Sequence, residues 1–341
     1  MTPVARGKVP ARAAHRRVTA RKQKIPEVAP SPPVPSADQR RAALTEGLEA
    51  VRQRLWGSNG TVVGNTEGVS IRSGAVARGR PHWHLLTEGL AGYELSLRVQ
   101  REKEEFGPPA WAVTLLSTLI TRAKKGDLAP DADQVLVLAQ GVAPGTDSEL
   151  SGVIFTPDPE ASAVVTDHDS LPVMAAVPVT RDETRTVREW SPTGLVDVLG
   201  KVDPLLITLL DRPSLLSSPR ARLMIEQRME KEGSSLSTMT ASNSMASKSG
   251  DLVTWRLSVD GVGTFCSLLK GRIAHQRPFS VVSGASRVEV VNGDPSTAEF
   301  KKRQLTLRLT LVAARQLRSL LRSKPGSYTF DLLPNFALTV V

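Results

Sequence analysis

Behind Ser36, whose hydroxyl suits a helix N-cap, the apolar residues Ala43, Leu44, Leu48, Val51 and Leu55 return at helical spacing and predict a helix to about Leu55. The period then changes. Tyr93, Leu95, Leu97 and Val99 alternate with Glu94, Ser96, Arg98 and Gln100, the pattern of a strand with one face in a core and the other in water. After Gly107-Pro108-Pro109, the residues Trp111, Leu115, Leu116, Leu119 and Ile120 form one helical stripe that stops at Gly126. Short apolar runs at Gln134 to Leu138, Leu150 to Phe155 and Val173 to Val179, bounded by Asp, Gly and Pro, read as strands, and Leu205 to Leu210 reads as a buried one. Ser191-Pro192 and Ser218-Pro219 each read as an N-cap followed by a first helical residue, where proline's missing N–H costs nothing. They predict helices to Leu199 and to about Lys231.

From Gly233 to Gly250, nine of eighteen residues are Ser or Thr, which predicts a flexible linker or long loop. Beyond it, Val253 to Val259 and Val262 to Leu269 flank Asp260-Gly261, a hairpin signal. Leu305, Leu307, Leu309 and Leu311 alternate with polar residues, and the period turns helical through Ala313, Leu317, Leu320 and Leu321. Tyr328 to Leu332 and Phe336 to Val341 predict a closing hairpin. Strands and helices intersperse without a regular βαβ repeat, so the expected class is α+β. The expected organisation is a tail over 1–36, a larger mixed α/β N-terminal lobe over 37–232, a linker over 233–250, and a smaller β-rich C-terminal lobe over 251–341 with one helix.

A length of 341 residues fits two lobes, and 40% hydrophobic against 23% charged residues excludes a wholly disordered chain. Net charge changes the picture more. Of the formal +10, residues 1–24 contribute eight Lys/Arg and no acid, leaving 36 basic against 34 acidic residues elsewhere. The tail ends in Pro-Ser-Pro-Pro-Val-Pro-Ser, a polyproline stretch expected to stay disordered. Such a tail supplies weak, sequence-independent contacts to nucleic acid at most, because a specific reader needs a basic face on the fold itself. Cys266 is the only cysteine, which excludes an intrachain disulfide and a Cys-rich metal site and suits a reducing cytoplasm. The start lacks a secretory apolar stretch, and the longest apolar-leaning run, Trp111 to Ile120, falls far short of the ~20 residues that cross a bilayer. A cytoplasmic protein without membrane contact is expected.

Catalytic motifs are scarce. There is no Gly-x-Ser-x-Gly elbow and no phosphate-cradling loop, and Gly261-Val262-Gly263 lacks the third glycine of a dinucleotide fingerprint. His82 and His84 share a face at a spacing that can hold a metal, but no third ligand stands near, so they read as part of a sheet surface beside Trp83. Asp167-His168-Asp169 reads as a polar loop. Cys266 with His275 has the composition of a nucleophile–base pair, yet its apolar neighbourhood predicts a buried, inert thiol. Arg315, Arg318 and Arg322, with Lys324 beyond, read as a solvated helix face, with docking of an acidic partner as the alternative. No catalytic residue, metal or cofactor is expected.

Pro81-His82-Trp83-His84-Leu85-Leu86-Thr87-Glu88-Gly89-Leu90 resembles the suppressor-of-fused domain family. The resemblance continues in order through Tyr93 to Val99, Pro108-Pro109-Ala110-Trp111-Ala112, Phe155-Thr156-Pro157-Asp158-Pro159-Glu160 and Val173 to Glu183, within roughly 78–231. The stretch 233–250 falls where the family has a variable insertion between lobes. The resemblance implies a non-enzymatic, two-lobed module. Animal members hold a short extended peptide of a transcription factor between the lobes, and bacterial members often resemble immunity proteins of polymorphic toxin systems. Two features depart from the family: only Ala91 and Gly92 precede the strand at Tyr93, and the aromatic and acidic residues that animal members use on the peptide have no match. The corresponding helix reads Ile120-Thr121-Arg122-Ala123-Lys124-Lys125 and the following strand ends in Ala139-Gln140-Gly141.

The leading expectation is an immunity protein that binds and neutralises a cognate toxin. The alternatives are a scaffold or sequestering regulator of another protein, such as a transcription factor, or a nucleic-acid binder working through the tail. Partner contact is expected on both lobes, at Val137, Gln140, Gly141 and Val142 in the first and Thr254, Trp255 and Arg256 in the second. If nucleic-acid affinity exists, deleting residues 1–24 is expected to remove most of its salt dependence, at about one log–log slope unit per neutralised phosphate. Titration of duplex DNA at several salt concentrations checks this, and an undiminished slope would place a basic reader on the fold.

Overall fold

The computed structural model describes residues 36–130, 135–167 and 169–341. The basic tail, the start of the run at Gln134 and the central residue of Asp167-His168-Asp169 lie outside the described residues.

The first lobe comprises α1 (Ala37–Trp56), β1 (Thr61–Thr66), β2 (Val69–Val76), β3 (His82–Glu88), β4 (Glu94–Gln100), α2 (Ala110–Lys124), β5 (Val135–Val137), β6 (Leu150–Pro157), β7 (Ala163–Val165), β8 (Ser170–Thr180), α3 (Arg181–Glu189), α4 (Pro192–Val202) and α5 (Pro219–Glu232). Its sheet runs β1-β2-β3-β4-β8-β6-β5, with β7 also on β8. Among its described strands only the β4–β8 pair is parallel. The stripe Leu115, Leu116, Leu119 and Ile120 of α2 packs on one sheet face against Ile71, Leu85, Leu97 and Phe155. Each such fully buried side chain is worth about 1.5–3 kcal/mol. On the other face, α1 covers Leu86 and Val173 through Leu48, while α3 and α4 cover Ile154, Val177 and Val179 through Val187, Trp190 and Leu195.

The second lobe contains β9 (Thr238–Thr240), β10 (Met245–Ser249), β11 (Leu252–Leu257), α6 (Val259–Gly271), β12 (Phe279–Ser283), β13 (Ser286–Asn292), β14 (Thr297–Lys301), β15 (Gln304–Leu309), α7 (Leu311–Leu320), β16 (Gly326–Phe330) and β17 (Leu333–Val340). Its strands form two sheets, β10-β11-β17-β16 and β14-β15-β13-β12-β9, that share a core with α6 and α7 around Trp255, Phe265 and Leu307.

Four expectations are corrected. Val262 to Leu269 is helix α6 rather than a hairpin strand, so the second lobe holds two helices. Its buried residues Val262, Phe265, Leu268 and Leu269 lie at helical spacing, and that outweighs the turn chemistry of Asp260-Gly261. Leu205 to Leu210 is a turn with a single bridge between Thr208 and Val99, because Leu206 takes the left-handed conformation (φ 56°). In β4 the polar alternates Glu94, Ser96 and Arg98 are as buried as the leucines, so the strand has no wet face.

The fourth correction concerns the Ser/Thr-rich stretch, which contains β9 and β10. Its first residues are strapped across the junction of the lobes. Ser234 N donates to Gly271 O (2.6 Å) and Ser235 N to Trp190 O (2.8 Å). Arg272 Nη1 donates to the carbonyls of Ser234 (2.9 Å) and Ser235 (3.0 Å), and its Nε to that of Pro278 (2.8 Å). Hydroxyl-rich sequence is compatible with a strand or strap once its main-chain groups find such partners. Helix α6 approaches α3 closely here. Ser267 Oγ donates to Glu189 Oε1 (3.0 Å), and a Cβ on Gly271 would lie 2.6 Å from Glu189 O.

Gly271→Ala is therefore expected to destabilise the chain by about 1–3 kcal/mol through a clash with backbone that cannot yield. Gly263, on the same helix with nothing within 4 Å of its Cβ position, is the control. Gly263→Ala is expected to be neutral or to add up to about 1 kcal/mol. Urea unfolding of both variants measures the difference, and a neutral Gly271→Ala would mean the lobes are not in close contact there.

Candidate functional site

The sheet edge at β5 and the sheet edge at β9 flank one cleft. Among the described residues β5 pairs only with β6, and β9 only with β12. A hollow of about 580 Å³ is lined by Val135 and Leu136 from β5, Ser237 to Thr240 around β9, Arg188 from α3 and Thr264 from α6. A second hollow of about 900 Å³ shares Arg188 and continues along Val137 to Gly141, Glu149 to Ser151, Arg181, Asp182 and Arg185.

Main-chain alternation decides which groups these edges offer. Val137 pairs with Gly152, and Leu138 N donates to Ser151 O (2.9 Å), so Leu136 and Leu138 turn toward β6 while Val135 and Val137 turn their N–H and C=O outward. On the other wall, Ser280 N donates to Ser237 O and Ala241 N to Val282 O (both 2.9 Å), which turns Met239 toward β12 and leaves Thr238 and Thr240 on the free side. Unpaired strand edges are templates for another strand.

The sequence-based candidates divide between the lobes. Val137 is 40% exposed, Gln140 is exposed and Gly141 half-buried on the cleft, while Val142 is buried just behind it. The second-lobe group is displaced from the site. β11 lies between β10 and β17 and has no free edge, Trp255 is fully buried with its Nε1 donating to Ser244 Oγ (2.8 Å), and Thr254 and Arg256 flank it on an interior strand. Trp255 is a core residue, not an anchor for a partner. The residues missed are Thr238 and Thr240, hidden in a run that reads as linker, and Arg181, Arg185 and Arg188, ordinary surface charges in a helix pattern.

A second polar constellation lies inside the first lobe, between the sheet and its covering helices. Asp158 accepts from Arg98 Nη1 (2.7 Å) and Nη2 (2.8 Å), from Ser96 Oγ, and from the N–H groups of Glu160 (2.9 Å) and Ala161 (2.8 Å). Burial alone would raise this carboxyl, but the hydrogen bonds from His84 and Arg98 and the guanidinium charge outweigh it and hold the group far below the usual carboxylate range. The Trp56 indole donates to His84 Nδ1 (3.2 Å), so neutral His84 carries its proton on Nε2, 3.5 Å from Asp158. Burial, then the Arg98 charge, lowers His84; burial also lowers His82. Nearby, Glu94 accepts from Thr87 Oγ1 (2.6 Å), Gly89 N (2.8 Å) and Leu90 N (3.2 Å), yet burial pushes its carboxyl up to about 7.

His82, His84, Arg98 and Asp158 are at most 2% exposed, so they are interior groups rather than a sheet surface. Among the described residues no three His, Cys, Asp or Glu side chains gather to hold a metal. Burial raises the Cys266 thiol, no hydrogen bond among the described residues joins it to His275, and thiolate nucleophilicity is correspondingly suppressed. Of the basic row, Arg315 and Arg318 are solvated, whereas Arg322 lies past the end of α7 and donates to Ser319 O (2.6 Å) and Leu321 O (2.9 Å).

Residues 64–213 match the family model of the Suppressor of fused protein (SUFU). This part of the chain is a suppressor-of-fused domain. Human Suppressor of fused homolog is 23% identical over 189 residues, which cover 47% of this chain and 38% of the human protein; the mouse homolog matches to the same extent. The alignment thus spans well under half the length of these relatives. The crystal structure of Drosophila Suppressor of Fused superposes with a TM-score of 0.69 at 14% identity, covering 88% of this chain and 96% of that one, so the fold is shared across both lobes. In the suppressor-of-fused domain here, the sequence runs that carry the resemblance fall on β3, β4, the start of α2, the β6–β7 turn and β8 into α3. Most of their polar residues belong to the buried constellation, and only Arg181 and Asp182, at the end of the last run, line the cleft. No described helix is long and apolar enough to cross a membrane.

The interior groups make stability depend on pH in two opposed ways. His82 and His84 are held below 6.5, so the unfolded chain takes up protons that the folded one refuses, and stability is lost as pH falls below about 6.5. Glu94, raised from 4.5 to about 7, contributes stability below about 4.5 that is lost as pH rises through about 7. Glu94→Gln is expected to remove the compensation, giving an acid loss between pH 7 and 5 steeper than wild type by up to about 1.4 kcal/mol per pH unit. Denaturant midpoints across that range check it; parallel curves for the two proteins would show that Glu94 stays ionised in the fold.

Proposed function

We propose that the chain is a non-enzymatic, cytoplasmic protein-binding module that captures an extended segment of another protein between its lobes by strand addition to β5 and β9. The observation that carries this reading is the pair of unpaired sheet edges lining one cleft. Strand addition draws affinity from main-chain hydrogen bonds and selectivity from side-chain pockets, and it needs no reactive group. The acid–base chemistry of the domain is sealed inside it, which favours binding over catalysis. Within this reading the partner is a cognate toxin and the chain its immunity protein, the role that bacterial relatives of the resemblance imply. A sequestering regulator would use the same cleft.

Val137→Pro removes an outward N–H while leaving the β6 ladder intact, and Thr238→Pro does the same on β9. Each is expected to weaken capture of the protein encoded beside this gene without lowering the melting temperature, whereas Thr254→Pro, inside the second-lobe sheet, is expected to unfold that lobe. Hydrogen exchange of the full chain with and without that protein locates the contact. Protection at β5 and β9 together is expected, and protection confined to one lobe would overturn the clamp.

A further inference from the structure

The wall of the cleft beside β5 carries three cations in a row. Arg181, Arg185 and Arg188 occupy one stripe of α3 at i, i+4 and i+7, and all three line the hollows along β5. Among the described residues none has an ion-pair partner within 4.0 Å. The carboxylates that share these hollows do not neutralise them. Asp182 is committed to Thr180 Oγ1 and Glu183 N (2.8 Å) at the helix cap, and Asp127 and Glu149 stand apart from the guanidiniums. On the opposite flank of the same edge, Arg122 of α2 lines a hollow with Gln140 and Gly141.

Geometry turns this row into a selectivity rule. α3 packs on the sheet at its β5–β6 end, where Thr184 stands against Gly152, so it overhangs the place that a strand added to β5 would take. In such a strand every second side chain points to the α3 side, about 6.7 Å apart. Along α3, residues four apart rise about 6 Å and residues seven apart about 10.5 Å. Side chains of the guest that point to the α3 side thus come within reach of the long arginine arms.

We infer that the captured segment is an acidic peptide, with Asp or Glu at alternate positions facing α3. This rests on the strand-capture reading of the cleft and adds the chemistry of its partner. A nucleic acid would satisfy the arginines but not the main-chain edges, and none of the residues lining the two hollows is aromatic, so bases have no platform to stack on.

The test uses the full chain and three fluorescent probes: a short peptide alternating Val and Glu, its counterpart with Gln for Glu, and an oligothymidine. Anisotropy titrations at low salt are expected to show the Glu peptide binding about tenfold more tightly than the Gln peptide, with the difference shrinking as salt rises. The triple variant Arg181→Gln, Arg185→Gln, Arg188→Gln is expected to abolish the preference while keeping the wild-type unfolding curve. Val137→Pro separates the two readings. Weakening of both peptides by Val137→Pro with no Glu preference in the wild type overturns the acidic-partner inference alone. A Glu preference that the triple variant removes and Val137→Pro leaves untouched supports the acidic surface and overturns strand capture. Failure of the Glu peptide to bind, or tighter binding of the oligothymidine that displaces it, overturns the inference.

Discussion

The first lobe depends on the bidentate ion pair between Arg98 and Asp158. Taking these two charges out of water costs several kcal/mol each, and their attraction repays it only when every remaining lone pair is satisfied. Here Ser96 and two backbone N–H groups satisfy most of the carboxylate, His84 Nε2 stands 3.5 Å from it and Glu160 takes a further Arg98 donor at 3.1 Å, while Arg98 Nε is left without a hydrogen-bond partner. The network ties the middle of β4 to the turn after β6, and through the Trp56 indole it reaches the end of α1. Removing one partner would leave the other charged and dry, a loss of about 3–5 kcal/mol. Such a constraint explains how a strand with a charged alternate face can lie in the centre of a sheet covered on both sides.

A second constraint places the cleft. Arg272 is buried at the end of α6 and spends its guanidinium on carbonyls of the strap between lobes, while Trp190, stacked beneath Arg228 at 4.9 Å, accepts the strap's Ser235 N–H on its own carbonyl. The strap runs directly into β9. The same junction therefore holds the edge of the second lobe's sheet opposite the edge of the first, and a guest strand would meet two pre-positioned ladders. Pre-positioning matters because association already costs several kcal/mol before any contact is counted.

The chemistry-bearing residues sort by access. His82, His84, Glu94 and Asp158, whose proton affinities are shifted by burial and by one another, sit in the interior, where they stabilise or tune folding, and the groups open to the cleft are main-chain amides, hydroxyls, guanidiniums and a few surface carboxylates. That distribution suits recognition. It also explains why the runs most like the suppressor-of-fused family are silent about the partner: His84, Glu94, Arg98 and Asp158 specify the domain's interior, while the cleft is built from residues outside those runs or at their ends.

Much of the local structure was legible in the chain. Helical stripes under α1, α2 and α7 and the Ser-Pro caps of α4 and α5 follow from side-chain spacing and from donors that only the first turn leaves unpaired, both local properties. The strands β6, β8, β15 and β17 were legible for the same reason. What only the tertiary structure decided is that β4 has no wet face, since Ser96 and Arg98 look solvent-facing until Asp158, some sixty residues away, comes to meet them, and Glu94 until Thr87 and the Gly89 and Leu90 N–H groups do. The same holds for α6, where a local turn signal lost to core packing, and for β9, whose Ser/Thr sequence carries no strand signal until β12 supplies its hydrogen bonds. Sheet edges are the extreme case: whether a strand has a free side depends on which other strands arrive, so β5 and β9 could become a site only once both sheets had formed.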